Sequence, residues 1–185
     1  MPMPLEEVTV SSARVTLRPV AEPDIDDLLE VNGDPEVTKF LPYATWQSRD
    51  DGLAWLTRMQ ALEATGTGRQ LVVVRNEDGK VIGTVLVFRF DAGSARAELG
   101  YVLGRAHWGQ GLMREALETL CAHAFSVLAI RRLEAEVNPD NEASNALLRR
   151  IGFRLEGTFR KRWVGKGAAY DTNFYGFLAE EWHGS

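Results

Sequence analysis

Residues 104–117, GRAHWGQGLMREAL, place Gly109 and Gly111 where an apolar strand gives way to an amphipathic helix. A glycine pair at such a point indicates either a plain turn or a loop whose backbone comes very close to a ligand. If a helix starts here, the amides of residues 109–113 point into the positive end of the helix dipole. The stretch is therefore a candidate site for an anion such as a phosphate.

Two common phosphate-binding loops do not match this stretch. A nucleotide P-loop has a lysine and then a serine or threonine after its second glycine, whereas GLMREA stands here. A dinucleotide-binding fingerprint needs a third glycine at the position of Arg114. The rest of the sequence must therefore decide what the glycine loop binds.

The size and composition of the chain suit one soluble globular domain. Its 185 residues are 45% hydrophobic and 25% charged, so we expect a single domain over residues 1–185 with a sizeable core. The formal net charge of -5 argues against general binding to nucleic acid or to an anionic membrane surface, because both need a basic face. A polyanionic ligand would have to be held locally.

The sequence offers no signal for export, for membrane insertion or for a metal. MPMPLEEVTV lacks the apolar core of a signal peptide, and no stretch approaches the roughly 18 apolar residues of a membrane span, so we expect a cytoplasmic protein. A lone Cys121 excludes an internal disulfide and predicts a buried structural thiol. His107 and His123 lack metal-ligand spacing, so no metal is implied.

Hydrophobic patterns in the first half predict a strand, two helices and a hairpin. The strand is interrupted by a turn at Ser11-Ser12. The first helix starts near Pro23, and the second covers Arg49–Leu62. Asp78-Gly79 lies between two apolar runs and predicts a tight hairpin turn. Residues 32–48 are rich in aromatic residues and are interpreted as a folded surface segment rather than a disordered linker.

The second half alternates strands with helices. ARAELGYVL (95–103) predicts a third meander strand, and apolar pairs from Leu112 to Leu128 predict one buried face of a helix of about five turns. RRLEAEV predicts a strand, NEASNALLRRI a helix that ends at Gly152, and two long strands close the chain. This order predicts a mixed sheet with helices on both faces, in which residues 95–137 form a parallel crossover.

Two segments, AELGYVLGRAHWGQGLMREAL and EVNPDNEASNALLRRIGF, carry a family resemblance. They resemble the GNAT superfamily of N-acetyltransferases, and in detail its ribosomal-protein N-terminal acetyltransferase (RimJ/RimL-like) branch. The resemblance covers essentially the whole chain, from VTLRPV to YDTNFYGFLAEEW. It implies a GNAT-like α/β (α+β) fold with a mixed, mostly antiparallel twisted sheet. It also implies acetyl-coenzyme A as co-substrate, with its diphosphate on the amides of the glycine loop.

The resemblance implies a set of acetyl-CoA-binding residues at the end of one strand, in the glycine loop and in a later helix. They are Tyr101, Val102, Leu103, Gly109, Gln110, Gly111, Leu112, Met113, Arg114, Asn141 and Ser144. The family pattern often has Gln or Arg three residues before the first glycine, where this chain has Ala106 with Arg105 beside it. Arg149 or Arg150 could also meet a ribose phosphate.

Acetyl transfer to an amine needs a neutral amine, an N–H donor for the oxyanion and a proton for the leaving thiolate. The resemblance places Glu98 near the amine as the base, acting directly or through a water. The alternative is an exposed strand residue paired with Arg96 or a neighbour. The resemblance also implies that this strand splays from its parallel partner, so that the backbone of Val102 or Leu103 supplies the N–H donor.

Asn141 and Ser144 open the helix after EVNPD. Asn141 is a good N-cap residue, and the resemblance adds a contact with the pantetheine arm. Many relatives have a tyrosine acid four residues before the GF pair, where this chain has Leu148. The resemblance therefore favours Ser144 as the group that protonates the thiolate.

The sequence says less about where the acceptor amine binds. The candidates are aromatic residues and a basic run, which could equally serve packing: Phe40, Tyr43, Trp46, Trp163, Tyr170, Arg160, Lys161 and Arg162. The predicted function is transfer of acetyl to the N-terminal α-amine of a protein or peptide in a ternary complex, by a monomer or homodimer. The alternatives are a small amine such as an amino acid, polyamine or antibiotic, which could use the acids of EPDIDDLLE, and a non-catalytic acyl-CoA sensor.

Overall fold

A computed structural model describes residues 8–184. Eight strands form one sheet in the spatial order β1-β2-β3-β4-β5-β6-β8-β7. The strands are β1 (Val10–Ser11), β2 (Val15–Pro19), β3 (Arg69–Arg75), β4 (Val81–Asp91), β5 (Arg96–Leu103), β6 (Arg132–Val137), β7 (Arg154–Gly165) and β8 (Ala168–Leu178). The helices are α1 (Ile25–Asn32), α2 (Pro35–Thr38), α3 (Arg49–Ala64), α4 (Leu112–Ser126) and α5 (Glu142–Ile151).

The sheet has the mixed, mostly antiparallel character that was predicted. Within residues 8–184, β5 and β6 are the one pair of neighbouring strands that run parallel, and α4 connects them. Their pairing covers three positions and ends at Glu98 opposite Glu134. Beyond this point the two strands separate, which opens a gap in the middle of the sheet.

Two core clusters confirm that helices cover both faces. Successive side chains of a strand point to opposite faces, so Leu71 and Val73 of β3 enter one cluster and Val72 enters the other. The first cluster includes the buried faces of α4 and α5, and the second includes those of α1 and α3. Strands β3 and β4 are therefore covered on both faces, whereas most of β7 is exposed.

Local sequence explains most element boundaries. The apolar pairs of α4 are buried as predicted, but the helix has 15 residues, about four turns, and Leu128 lies beyond its end. Gly79 has φ +72° in the β3–β4 hairpin, and Gly152 has φ +126° where α5 stops. Both predicted glycine positions therefore carry backbone conformations that other residues rarely adopt.

The interpretation of residues 32–48 as a surface segment is wrong in part. Asp34 accepts a hydrogen bond from the Glu36 amide and starts the short helix α2. Trp46 is 4% exposed and packs on Trp55, with ring centroids 5.5 Å apart. Trp46 belongs to the α1/α3 core, because burial of its large apolar side chain is favourable wherever a neighbouring helix offers a surface. This holds even where the surrounding sequence has no periodic hydrophobic pattern.

None of the helices within residues 8–184 combines the length and the apolar character needed to cross a lipid bilayer. The residues before Val8, on which the expectation about a signal peptide partly rests, lie outside the described part of the chain.

Candidate active site

The glycine loop has the geometry of an anion cradle. Gly109 and Gly111 have φ +71° and +76°, and α4 begins directly afterwards at Leu112. A Cβ on Gly109 would have no atom within 4 Å, so the loop faces open space. The first amides of a helix have no partner inside it. An anionic group such as a diphosphate therefore fits against this backbone.

The other predicted residues of the loop and helix differ in what they offer. The side chains of Leu112 and Met113 are buried in the core, so these residues have only their backbone amides to give. Gln110 donates from Nε2 to the carbonyl of Ala106 over 3.0 Å, which braces the loop internally. Arg114 pairs with Glu118 at 2.7 Å, one turn along an exposed face of α4.

The gap beside β5 distinguishes Leu103 from Val102. The Gly104 amide donates to the Ile82 carbonyl on β4 over 2.8 Å. Backbone N–H groups of a strand point alternately to its two sides, so the Val102 N–H also faces β4. The N–H groups of Tyr101 and Leu103 then face the side from which β6 has separated. Leu103 therefore presents an N–H donor to the gap.

Asn141, Ser144 and Tyr101 meet at the start of α5. The Asn141 side chain accepts a hydrogen bond from the Ser144 amide at 3.2 Å, which confirms the predicted N-cap. The hydroxyl groups of Ser144 and Tyr101 are hydrogen-bonded to each other at 2.5 Å. Burial raises the pKa of Tyr101 above its ordinary value, and its bond to Ser144 opposes this. The pair thus keeps a neutral proton donor at the α5 end of the gap.

A buried amide network, which the sequence interpretation missed, holds this corner. Asn145 is 4% exposed, and its Oδ1 accepts from Asn173 Nδ2 at 2.9 Å and from the Tyr175 hydroxyl at 2.6 Å. Its Nδ2 donates to the carbonyls of Asn138 and Asn141. The sequence signal for this network was Asn145 itself, a polar residue at a buried helical position directly after the candidate Ser144.

Glu98 is a buried carboxylate with a charged partner. It is 5% exposed and accepts a hydrogen bond from Arg89 Nη1 at 2.7 Å, and the same Nη1 reaches Glu136 at 3.1 Å. Burial raises the pKa of Glu98, Arg89 opposes this, and Glu136 and Glu134 reinforce it. The net pKa lies above the ordinary value. The alternative of an exposed strand residue is therefore wrong, and the charged partner is Arg89 rather than Arg96.

Glu98 and Ser144 lie on opposite faces of the sheet. Ala97 and Leu99 belong to the α4/α5 core, so Glu98 between them points to the α1/α3 face. Tyr101, whose hydroxyl contacts Ser144, packs on the α4/α5 side. The gap between β5 and β6 connects the two faces, so groups that approach from opposite sides can meet there.

The predicted acceptor residues do not form one cluster. Tyr43 donates to Asn32 and packs with Trp46 in the α1/α3 core. Trp163 and Tyr170 stack at 5.2 Å across the β7–β8 hairpin. The hairpin reaches across to α2, because Lys166 Nζ donates to the Thr38 carbonyl. A cavity of about 730 Å³ at its bulge is lined by Thr158, Phe159, Arg160, Lys161 and Asp171.

Within the described part of the chain, no three His, Cys, Asp or Glu side chains are grouped so that they could hold a metal ion. Cys121 is fully buried in α4, as predicted, and burial raises the pKa of its thiol.

Comparisons with known proteins agree with this geometry. Residues 14–154 match the model of the acetyltransferase (GNAT) domain family. The uncharacterized N-acetyltransferase p20 of Bacillus licheniformis is 33% identical over 95% of this chain and 99% of its own. The ribosomal-protein-serine acetyltransferase of Escherichia coli K12 is 29% identical over 70% of this chain and 71% of its own.

The fold has a solved counterpart as well. Mycobacterium smegmatis RimJ, in complex with CoA-disulfide, superposes with a TM-score of 0.87 at 24% identity, over 97% of this chain and 91% of that chain. With the family model and the full-length relative, this fold similarity identifies the chain as a member of the GNAT family of N-acetyltransferases, acyltransferases that depend on acetyl-CoA.

Proposed function

We propose that this GNAT enzyme acetylates the N-terminal α-amine of a protein or peptide, by direct attack in a ternary complex. The single observation that carries the proposal is the gap between β5 and β6. Candidate acetyl-CoA-binding groups line its α4/α5 side, and the buried Glu98 carboxylate lies on its α1/α3 side. We also propose that residues 1–185 form one acetyltransferase domain that works in the cytoplasm.

The acetyl-CoA site would be built largely from backbone. The amides of residues 109–113 would hold the diphosphate, and Asn141 the pantetheine arm. When bound, acetyl-CoA supplies an activated acyl group as a thioester. The left-handed glycines and the open space at Gly109 support this assignment, because a side chain there would stand between a phosphate and the backbone.

Three groups of the chain would carry the chemistry. Glu98 would take a proton from the attacking amine, and an α-amine demands little of it, since its ordinary pKa is only about 7.7 to 8.0. The Leu103 N–H would stabilise negative charge that develops on the thioester oxygen. Ser144, hydrogen-bonded to the neutral Tyr101 hydroxyl, would return a proton to the leaving sulfur.

The acids of EPDIDDLLE argue against a polycationic acceptor. Asp24 is buried and forms two hydrogen bonds of 2.8 Å with Arg18. Asp27 accepts from the Val81 amide at 2.9 Å, and Asp26 pairs with Arg49. These carboxylates are used by the fold. The E. coli relative is named as a ribosomal-protein-serine acetyltransferase, which supports a protein as acceptor.

The direct test is thiol release from acetyl-CoA in the presence of an acceptor panel. The panel contains peptides beginning with Ala, Ser and Met, together with free amino acids, polyamines and aminoglycosides. Preferential turnover of a peptide supports the proposal. Preferential turnover of one small amine overturns the acceptor class. Tight binding of acetyl-CoA without turnover of any acceptor points to a sensor.

A pair of variants tests the acetyl-CoA site. Gly109→Trp should abolish binding of acetyl-CoA measured by calorimetry. Gly79→Trp is the matched control, because Gly79 has the same left-handed backbone (φ +72°) and equally open space in a distant hairpin. If Gly109→Trp binds as well as the control, the glycine loop is not the site.

A further inference from the structure

Arg14, in the turn between β1 and β2, joins the glycine loop to α4. Its Nη1 donates to the Gln110 carbonyl at 2.9 Å, and its Nε pairs with Glu115 at 2.7 Å. Its backbone N–H and the Ser12 hydroxyl donate to the other oxygen of the same carboxylate. Arg14 is 96 residues from Gln110 in sequence, so no local pattern reveals the contact.

These bonds fix the orientation of one peptide unit. The carbonyl and the N–H of a trans peptide point in opposite directions, so a Gln110 carbonyl held on Arg14 turns the Gly111 N–H away from it. The unit lies between the Cα atoms of Gln110 and Gly111, and glycine rotates between left- and right-handed conformations at little cost. Without Arg14, this unit could turn over by rotation at Gly111 and present a carbonyl to an incoming phosphate.

The ion pair with Glu115 makes this support firm. Burial alone would raise the pKa of Glu115, but the hydrogen bonds from Ser12 and from Arg14 together lower it. The carboxylate is therefore ionised at neutral pH and holds the planar guanidinium by Nε while Nη1 reaches the loop. A fork of this shape is available to arginine and not to lysine.

We infer that Arg14 is a positioning residue of the acetyl-CoA site, which holds the Gln110-Gly111 peptide so that the Gly111 N–H faces the diphosphate. The inference rests on the proposed placement of acetyl-CoA in the glycine loop. Arg14 would thus order, from a distant turn, a loop that has Ala106 where the family often has Gln or Arg.

The test compares acetyl-CoA with acetylpantetheine, which carries the same thioester but no diphosphate. Arg14→Met should lower kcat/KM for acetyl-CoA about tenfold or more, the size of a lost charged hydrogen bond, and leave kcat/KM for acetylpantetheine unchanged. Arg154→Met is the matched control, because Arg154 pairs with Glu181 on an exposed surface at 3.1 Å. It should change neither value.

Arg14→Lys separates orientation from charge. Because lysine cannot bond Glu115 and the loop in one fixed plane, its loss with acetyl-CoA should approach that of Arg14→Met. Full activity of the lysine variant, no loss in Arg14→Met, or an equal loss with both thioesters would each overturn the inference. Failure of the proposed site is a different result: wild-type protein would then use both thioesters equally well, and Gly109→Trp would still bind acetyl-CoA.

Discussion

Replacement of Asn145 by alanine should destabilise the fold strongly, because it strands two buried donors. The Tyr175 hydroxyl, which is 0% exposed, loses its 2.6 Å bond, and the Asn173 amide, 9% exposed, loses its 2.9 Å bond. Each stranded buried donor costs about 1–3 kcal/mol. We therefore expect Asn145→Ala to lower the free energy of unfolding by about 3 kcal/mol.

Urea denaturation followed by tryptophan fluorescence measures this loss. With a denaturant dependence of about 2–3 kcal/mol per molar urea, the midpoint should fall by about 1 M or slightly more. Tyr175→Phe is the control, because it removes one donor and leaves Asn145 bonded to Asn173, and it should cost about 1 kcal/mol. The network would not have the assigned role if Asn145→Ala cost less than about 1 kcal/mol or if Tyr175→Phe cost as much as Asn145→Ala.

Four further predictions concern the site and the thiol. Glu98→Gln should lower turnover about 100-fold or more, with acetyl-CoA binding measured by calorimetry kept. Glu98 must be ionised to act as a base, and its pKa is raised. As the pH is lowered, kcat/KM of the wild type should therefore begin to fall at a higher pH than it would with an exposed glutamate. A profile without this acid limb would contradict the assignment. Ser144→Ala should lower turnover at least tenfold in steady-state assays while acetyl-CoA binding stays, and an unchanged rate would leave Ser144 a helix-start residue. Cys121 should react with a thiol reagent only after unfolding, and rapid labelling of native protein would contradict its burial.

The fold was predictable where apolar spacing repeats. The face of α4, the Asp78-Gly79 hairpin and the stop at Gly152 follow from local rules of periodicity and backbone conformation, and the structure has all three. Trp46, which lies in the loop before α3, escaped these rules, because its burial depends on Trp55 of that helix.

The candidate site was predictable as residue types but not as geometry. The family resemblance pointed to Glu98 and Ser144, yet their placement on opposite faces of the sheet depends on strand pairing. Arg14 and Arg89 were missed for the same reason. An exposed arginine in a turn carries no signal of its partner when that partner lies 96 or 101 residues away, as Gln110 and Glu115 do from Arg14.

The short pairing between β5 and β6 also has a consequence for how the chain folds. Most neighbouring strands are joined by hairpins or antiparallel ladders, whereas this contact spans a helix and covers three positions. Parallel contacts between distant segments form late, since the chain must close a long loop before they gain anything. We expect the hairpin ladders β3–β4, β4–β5 and β7–β8 to protect their amides from hydrogen exchange more strongly than the β5–β6 junction. The junction beside the candidate active site would then also open more readily than these ladders.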